Sequence, residues 1–491
     1  RFGVELFEQS TRITAPEVRR GSCRDVVDVP TAAAKMATRL KQAADTHGPE
    51  KVGVFVSPEL TTEEMYLAGR IARDGLGSSN VASLSIMATG QESGALDAPL
   101  GFTGSTEDRG CIANADLIVC NNTALESDHL ILAVDVIEAV RKGAKLLVTN
   151  STLDPADQFM GTLALDPMRG RSTWLYSGVT DLLIESGTLS TDGVPGAEEF
   201  KQDRSFDLNT AAQMTGLDEE DFHEAAKLFQ NASNVVFIHG MDRPQDQAPG
   251  DMAALADLLI LLRNAGKQAE ILLPRLIANS AGVDVAGADP VFAAGRDTEA
   301  QNTKGATSRA ELRKLLDDGE IKAALIIGED PMGQGRTARW FGDVEFLGAM
   351  DWTPTETTSY ADIVLPGTTY LENAGTRVNF EGEVVTYAQA VTPPAGVTGT
   401  QVLRALAKEL GIDTQDCLTE ELENKVKASL PAELLPFLWN TGQKRKLDEQ
   451  RLRLVKVDVS GKRTAIMPPL VHSTRYRAEI RQVGTERYRV H

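Results

Sequence analysis

ADLIVCNNTALESDHLILAVDVIEAVRKGAKLLVTNST (residues 115–152) decides the fold. Its first piece, ADLIVCNN (115–122), is a short apolar run ending in small polar residues, the pattern of a buried strand that opens onto a loop. HLILAVDVIEAVRKG (129–143) then places Leu130, Ala133, Val134 and Ile137 on one helical face, with Gly143 as terminator. AKLLVTNST (144–152) is the next strand. Strand, helix and strand at this spacing imply a right-handed βαβ unit and a parallel sheet.

The same alternation recurs on both sides. KVGVFVS (51–57) reads as a strand, and Thr61-x-x-Glu64 is a capping box opening the helix that follows. NVVFIHG (234–240), the helix MAALADLLILLRNAG (252–266), AEILLPR (269–275), AALIIGED (323–330), VEFLGAM (344–350) and ADIVLPG (361–367) form a second series. Ser308-x-x-Glu311 is another helix start. VLRALAKELG (402–411) is a short amphipathic helix, and RLRLVKVDV (451–459) reads as a strand. Residues 1–30 show no period and read as an irregular leader. The fold class is α/β, with two doubly wound, mainly parallel sheets.

A chain of 491 residues exceeds one core and divides into several domains. Hydrophobic content of 42% and charged content of 24% suit a water-exposed globular protein, and no apolar run approaches the ~20 residues of a membrane span. A net charge of −20 argues against nucleic acid or an anionic membrane as partner. From Lys444 onward, however, 13 Lys/Arg stand against 5 Asp/Glu, a basic tail on an acidic body. The chain opens at Arg1 rather than Met, so an upstream segment is expected, and a cytoplasmic location. Cys23, Cys111, Cys120 and Cys417 have no C-x-x-C spacing and no nearby His, so no zinc or iron–sulfur ligand set is expected within these residues. Cys120, inside ADLIVC, reads as a small buried hydrophobe.

Ligands of open parallel sheets bind beyond the carboxyl ends of the strands. Asn121-Asn122-Thr123, Asn150-Ser151-Thr152, Gly240-Met241-Asp242, Gly328-Glu329-Asp330 and the Gly-broken loop after Pro366 are therefore the candidate positions. Their amides, hydroxyls and carboxylates suit a large polar ligand such as a nucleotide or pterin. Neither G-x-x-x-x-G-K-[ST] nor a G-x-G-x-x-G after the first strand is present, which weakens simple ATPase and dehydrogenase readings. Each loop also has a plainer reading. Asn121 and Asn150 could only cap the following helix, Glu329-Asp330-Pro331 could be a turn, and His239 a structural imidazole.

The ordered set RFGVELFEQSTRITAPEVRRG (1–21), ADLIVCNNTALESDH (115–129), KLLVTNSTLDPAD (145–157), FIHGM (237–241), ALIIGEDPM (324–332) and TPTETTSYADIVLPGTTYLENAGTRVNFEGEV (353–384) resembles the molybdopterin-dependent oxidoreductases. Within them it is most similar to the formate dehydrogenase catalytic subunit and the large iron–sulfur subunit of respiratory complex I. The resemblance covers about residues 1–415. It implies one domain inserted in another: 86–214 inside a domain of 30–85 and 215–350. It also implies a leader from an upstream domain (1–29), a pterin-site-like loop and helix region (351–415) and a basic tail (416–491). Carried over, Asn121, Thr123, Glu126 and Asn150 would face one half of a molybdopterin guanine dinucleotide pair. Gly240, Glu329, Thr355, Glu356 and Asn379 would face the other.

Three departures bear on function. The family's Cys or selenocysteine followed by His should come after the strand in SNVASLSIMATGQESG (79–94), yet Ser83, Ser85 and Met87 stand there. No Cys occurs between 24 and 110 and no His between 48 and 128. The family's EGR reads EGE, so Glu383 replaces a base that could meet a phosphate. With about 75 residues after 415, the family's closing β-barrel is not expected among them. The expectation is a subunit of an NAD(P)H- or ferredoxin-linked electron-transfer complex, without molybdenum chemistry and with no catalytic or metal-binding residue of its own. Iron–sulfur clusters would lie upstream, and flavin/NADH-binding and iron–sulfur subunits would be its partners, in the cytoplasm or peripheral to a membrane complex. The alternatives are an active molybdenum or tungsten bis-pterin enzyme using Ser83 or Ser85 as oxygen ligand, and an unrelated doubly wound nucleotide-binding enzyme.

Overall fold

The computed structural model describes residues 11–89, 96–101, 104–151, 153, 160–201, 207–241, 250–296, 303–333, 335, 337–430, 447 and 451–457. Most of the basic tail, including the apolar stretch AELLPFLWN (432–440), lies outside the described residues. The chain forms two units. One comprises Arg1–Glu92, Gly104–Cys111 and Ile271–Glu449, the other Ser93–Thr103, Ile112–Glu270 and Gln450–His491.

The chain first lays down β1 (Glu17–Arg20), β2 (Cys23–Val26), β3 (Val52–Val56) and β4 (Val81–Ala82). The second unit then supplies β5 (Leu117–Asn121), β6 (Lys145–Thr149), β7 (Leu163–Leu165), β8 (Asn234–His239) and β9 (Gln268–Leu272). Returning to the first unit, the chain adds β10 (Ala323–Ile327), β11 (Phe346–Asp351) and β12 (Ile363–Pro366), then a ribbon of β13 (Gly375–Val378) and β14 (Val384–Tyr387).

The first unit's sheet has the order β2-β1-β12-β11-β10-β3-β4. Its central strands are parallel and buried on both faces: Ala323, Leu325 and Ile327 of β10 join one core cluster, while Ala324 and Ile326 join the other. That two-sided burial is why these strands read as unbroken apolar runs. Since β3 leads to β4 on one side and β10 to β12 on the other, the direction of winding reverses between β3 and β10. The Thr61–Glu64 capping box is present at the start of the helix Thr62–Arg70.

The second unit's sheet has the order β7-β6-β5-β8-β9, and its winding reverses between β5 and β8. Here the expected boundaries are corrected. β8 pairs parallel with β5, from Leu117↔Val235 to Asn121↔His239, so β8 and the helix Asp251–Asn264 belong to this sheet rather than to a domain resuming at 215. Strand periodicity cannot say which sheet a strand joins; only pairing does.

Other expectations change too. The leader is not irregular where described. β1 and β2 form an antiparallel hairpin, and β1 adds to β12. Arg19 and Arg24 donate to the carbonyls of Ser359 and Ala361, which fixes the hairpin to the end of the helix Glu356–Tyr360. The helix Leu130–Arg141 buries Leu132, Ala133, Val136 and Ala139, while Leu130 and Val134 are 67% and 49% exposed. The stripe read from sequence is thus rotated off the core face. Leu418–Ser429, expected within an irregular tail, is a helix. Residues 451–457 form no strand; instead Leu454 donates its amide to the Pro195 carbonyl and Val455 to the Asp257 carboxylate. Among the described residues no helix is long and apolar enough to cross a membrane.

Candidate functional site

At the reversal point of the second unit, β5 ends in Asn121 and β8 in His239. Asn121 Oδ1 accepts from the Thr149 hydroxyl at 3.2 Å, so its amide donates to His239 Nδ1 at 2.8 Å, and Tyr176 hydrogen-bonds Thr149 from behind. This chain fixes the imidazole as the Nε2–H tautomer. Burial holds His239 well below its ordinary value, at about 4, so it is neutral. Asn122 turns the chain with φ of 52° and donates to the Gly240 carbonyl at 2.9 Å. Asn150 closes the next loop: its side chain accepts from the Thr123 amide at 3.1 Å and donates to the Thr123 carbonyl at 2.8 Å.

Gly240 is required by close approach, because a Cβ there would strike the Asn122 carbonyl and lie 2.9 Å from Thr123 Cβ. Gly240 stands with Asn121 and Thr123, since β8 lies beside β5. Glu126 is exposed on the short helix Leu125–Asp128. Among the described residues, three buried polar atoms here have no partner: Asn122 Oδ1, Thr123 Oγ1 and His239 Nε2.

In the first unit, Glu329 follows β10 and is buried. Its carboxylate accepts from the Ser83 hydroxyl at 2.9 Å and from the amides of Leu84 and Ser85, both at 3.0 Å. Burial pushes this carboxyl up to about 7, against the opposing pull of those donors. Asp330 accepts from the Thr357 amide (2.8 Å), the Thr357 hydroxyl (2.7 Å) and the Gly333 amide (3.2 Å). After β11, Asp351 accepts from the amide of Trp352 at 2.7 Å, and burial raises its carboxyl to about 6.

After β12, Glu372 receives both ends of the Arg12 guanidinium, at 2.7 and 2.6 Å, and the Thr369 amide at 2.9 Å. Burial would raise Glu372, but Arg12 and the amide outweigh it and hold the carboxyl below its usual range. Thr355 caps the helix Glu356–Tyr360 in a reciprocal box with Thr358, and Glu356 is exposed. Asn379 closes the β13–β14 loop by accepting from the Glu383 amide at 2.9 Å.

The residues named from sequence thus fall into two groups, one at the reversal point of the second unit and one spread over the strand ends and the β13–β14 ribbon of the first, and most serve as internal ties. Sequence reasoning passed over Tyr176, Asp351 and the Arg12–Glu372 pair. Glu372 lay inside the conspicuous loop, but nothing local announces a partner 360 positions away.

The family model for molybdopterin oxidoreductases matches residues 12–409. The alpha subunit of an NADPH-Fe(3+) oxidoreductase of Geobacter sulfurreducens is 24% identical over 80% of this chain and 48% of its own length. Formate dehydrogenase H of Escherichia coli is 24% identical over 86% of this chain and 63% of its own length. Acetylene hydratase from Pelobacter acetylenicus superimposes with a TM-score of 0.68 at 19% identity, over 84% of this chain and 63% of that one. The chain spans about half the length of curated relatives it matches.

A pterin dinucleotide brings pyrophosphate, which needs N–H donors and positive charge. The described residues at the first unit's strand ends do not fit it. The loop amides above are taken by Glu329, Asp330, Asp351 and Glu372, and the cation Arg12 is spent on Glu372. Arg377 lies over the Tyr370 and Tyr387 rings and donates to the Glu59 carbonyl. The second unit's three orphaned atoms offer hydrogen bonds without positive charge, since His239 is neutral. With the family model matched from Arg12 to Glu409 over two doubly wound sheets, this chain belongs to the molybdopterin oxidoreductase family.

Proposed function

We propose that this chain is a subunit of an NAD(P)H- or ferredoxin-linked electron-transfer complex that carries no molybdenum chemistry of its own and serves as scaffold and docking subunit. The observation that carries the reading is the Ser83–Glu329 contact. Ser83 opens the segment where the family resemblance expects a metal-binding side chain, and its hydroxyl is committed to a buried carboxylate. The NADPH-Fe(3+) oxidoreductase alpha subunit, one of several subunits by its name, supports the setting. Electron carriers would then be iron–sulfur clusters in a segment preceding these residues, and partners would be flavin/NADH-binding and iron–sulfur subunits.

A second reading keeps a molybdenum or tungsten bis-pterin enzyme of the formate dehydrogenase type, with Ser83 or Ser85 as oxygen ligand. It draws on the orphaned Asn122, Thr123 and His239 atoms, which a bound nucleotide would satisfy. Metal and pterin analysis of the purified full-length protein separates the two. The scaffold reading expects iron without molybdenum, tungsten or pterin. Stoichiometric molybdenum or tungsten with pterin would sink it.

A further inference from the structure

We infer that the carboxyl-end loops of the seven-stranded sheet are closed by the chain's own carboxylates standing where phosphate oxygens would otherwise accept, so that this edge folds without a pterin dinucleotide. The inference rests on the scaffold reading and adds to it a statement about what holds the loops.

Loops after parallel strands present backbone N–H groups that need acceptors once they are withdrawn from water. A phosphate supplies them in many nucleotide-binding folds. Here the loops after β10, β11 and β12 each bring their own anion. Glu329, from the loop after β10, reaches across to the segment after β4 and takes the amides of Leu84 and Ser85 together with the Ser83 hydroxyl. The neighbouring Asp330 reaches the other way and takes the Thr357 amide and hydroxyl, which ties the loop after β10 to the helix that follows β11. Asp351 at the end of β11 folds back on the Trp352 amide, and Glu372 after β12 takes the Thr369 amide.

The arrangement runs from the segment after β4 to the loop after β12, so it spans the edge rather than decorating one loop. Charge argues the same way. Among the described residues, Glu372 is the one of these carboxylates with a guanidinium partner, Arg12. A pyrophosphate entering among the others would meet like charge at short range and would have to displace acceptors already in place. The raised carboxyls of Glu329 and Asp351 mark the same crowding: burial and, at Asp351, the nearby Asp330 and Glu59 already oppose further negative charge.

The test compares the full-length protein made in cells with intact pterin synthesis and in cells in which that synthesis is blocked. The readouts are thermal unfolding, amide hydrogen exchange over 328–333, 351–358 and 367–373, and metal content. Equal melting within about 2 °C and equal protection of these loops are expected, as is no shift on adding pyrophosphate or GDP. Loops that lose protection in the pterin-free protein, or a melting point that rises with pyrophosphate or GDP, would overturn the inference. The scaffold reading fails separately, on stoichiometric molybdenum or tungsten in the first preparation, whatever the loops do. Asp330→Ala gives a second arm. Exchange should rise at 355–360 and stay unchanged at 84–86, where Glu329 still caps; unchanged exchange at 355–360 would count against the inference.

Discussion

The Glu329 carboxylate accepts the Ser83 hydroxyl at 2.9 Å across 246 positions of sequence, joining the end of β10 to the end of β4. Glu329→Gln keeps the shape but turns one acceptor into a donor. Because Oε1 serves Ser83 and Ser85 while Oε2 serves Leu84, any orientation of the amide leaves at least one backbone N–H facing an NH2 group. A loss of about 1–3 kcal/mol is expected by urea unfolding. An unchanged midpoint would show that the contact holds nothing.

The pH response of this group follows from its raised carboxyl. Folded, Glu329 titrates near 7; unfolded, near the ordinary 4.5. The folded state therefore binds the proton more tightly. Its contribution to stability is complete below about 4.5 and is lost as pH rises through 7. Glu64, buried on the helix Thr62–Arg70, is pushed by desolvation to about 7 and acts in the same direction. His239 acts oppositely: depressed to about 4, it contributes stability that is full above 6.5 and lost as pH falls toward 4. Thermal melting between pH 4 and 8 should thus fall at both ends. His239→Gln should remove part of the acid loss, and Glu329→Gln part of the alkaline loss. The assignment fails if either variant leaves its limb unaltered.

Breaking the Arg12–Glu372 pair should be costlier than an ordinary surface ion pair. Both side chains are largely buried, at 10% and 1% exposure, and Arg12 also lies over the Trp352 ring and donates to its carbonyl. Arg12→Ala leaves a buried carboxylate without its counter-charge, and a loss of about 3–5 kcal/mol is expected. Glu372 is held below its usual range, so its contribution is present at neutral pH and lost on acidification through the folded value. Glu372→Gln should accordingly weaken the protein at pH 7 and less so at pH 4, read by calorimetry.

Some of this was legible in the sequence and some was not. The strands β3, β5, β10 and β12 are buried on every residue, so each shows as an apolar run, and the Thr61–Glu64 box is local chemistry within one turn. What pairing decides was invisible. That β8 joins β5 depends on contacts between residues 118 positions apart, and no local signal records them. The leader failed for a similar reason, since its hairpin is polar and half-exposed and exists by adding to β12. Candidate site residues were found by their place after strands, but their roles were not. Asn121, Asn150, Glu329 and Thr355 have the composition of ligand contacts, and only geometry shows their groups committed to neighbours.

Gly240 supplies a steric prediction. Its missing side chain lets the end of β8 lie against the Asn122 carbonyl and Thr123; Asn122 is tied to the Gly240 carbonyl and Thr123 to Asn150. Gly240→Ala must push backbone apart rather than turn a flexible side chain. A destabilisation of about 1–3 kcal/mol is expected in denaturant, with a change in the near-UV signal of Tyr176, which reaches the same site through Thr149 and Asn121. A variant as stable as the parent would show that the two strand ends can separate at little cost.

The helix Leu130–Arg141 separates the observed core face from the one read off its apolar pattern. Leu130 and Ile131 are 67% and 70% exposed, whereas Leu132 and Val136 are buried against the five-stranded sheet's unit. Leu130→Lys and Ile131→Lys remove no buried contact of this unit, and each should change stability by no more than about 0.5 kcal/mol in the isolated protein. Leu132→Ala removes a side chain 3% exposed and should cost about 2–5 kcal/mol. The contrast is sharp because neighbouring positions of one helix are predicted to differ several-fold. Had the sequence stripe been the core face, Leu130→Lys would instead bury an unpaired ammonium and unfold the unit. Urea titration of the three variants decides between the two faces, and a large loss at Leu130 would mean that this surface is covered in the folded protein.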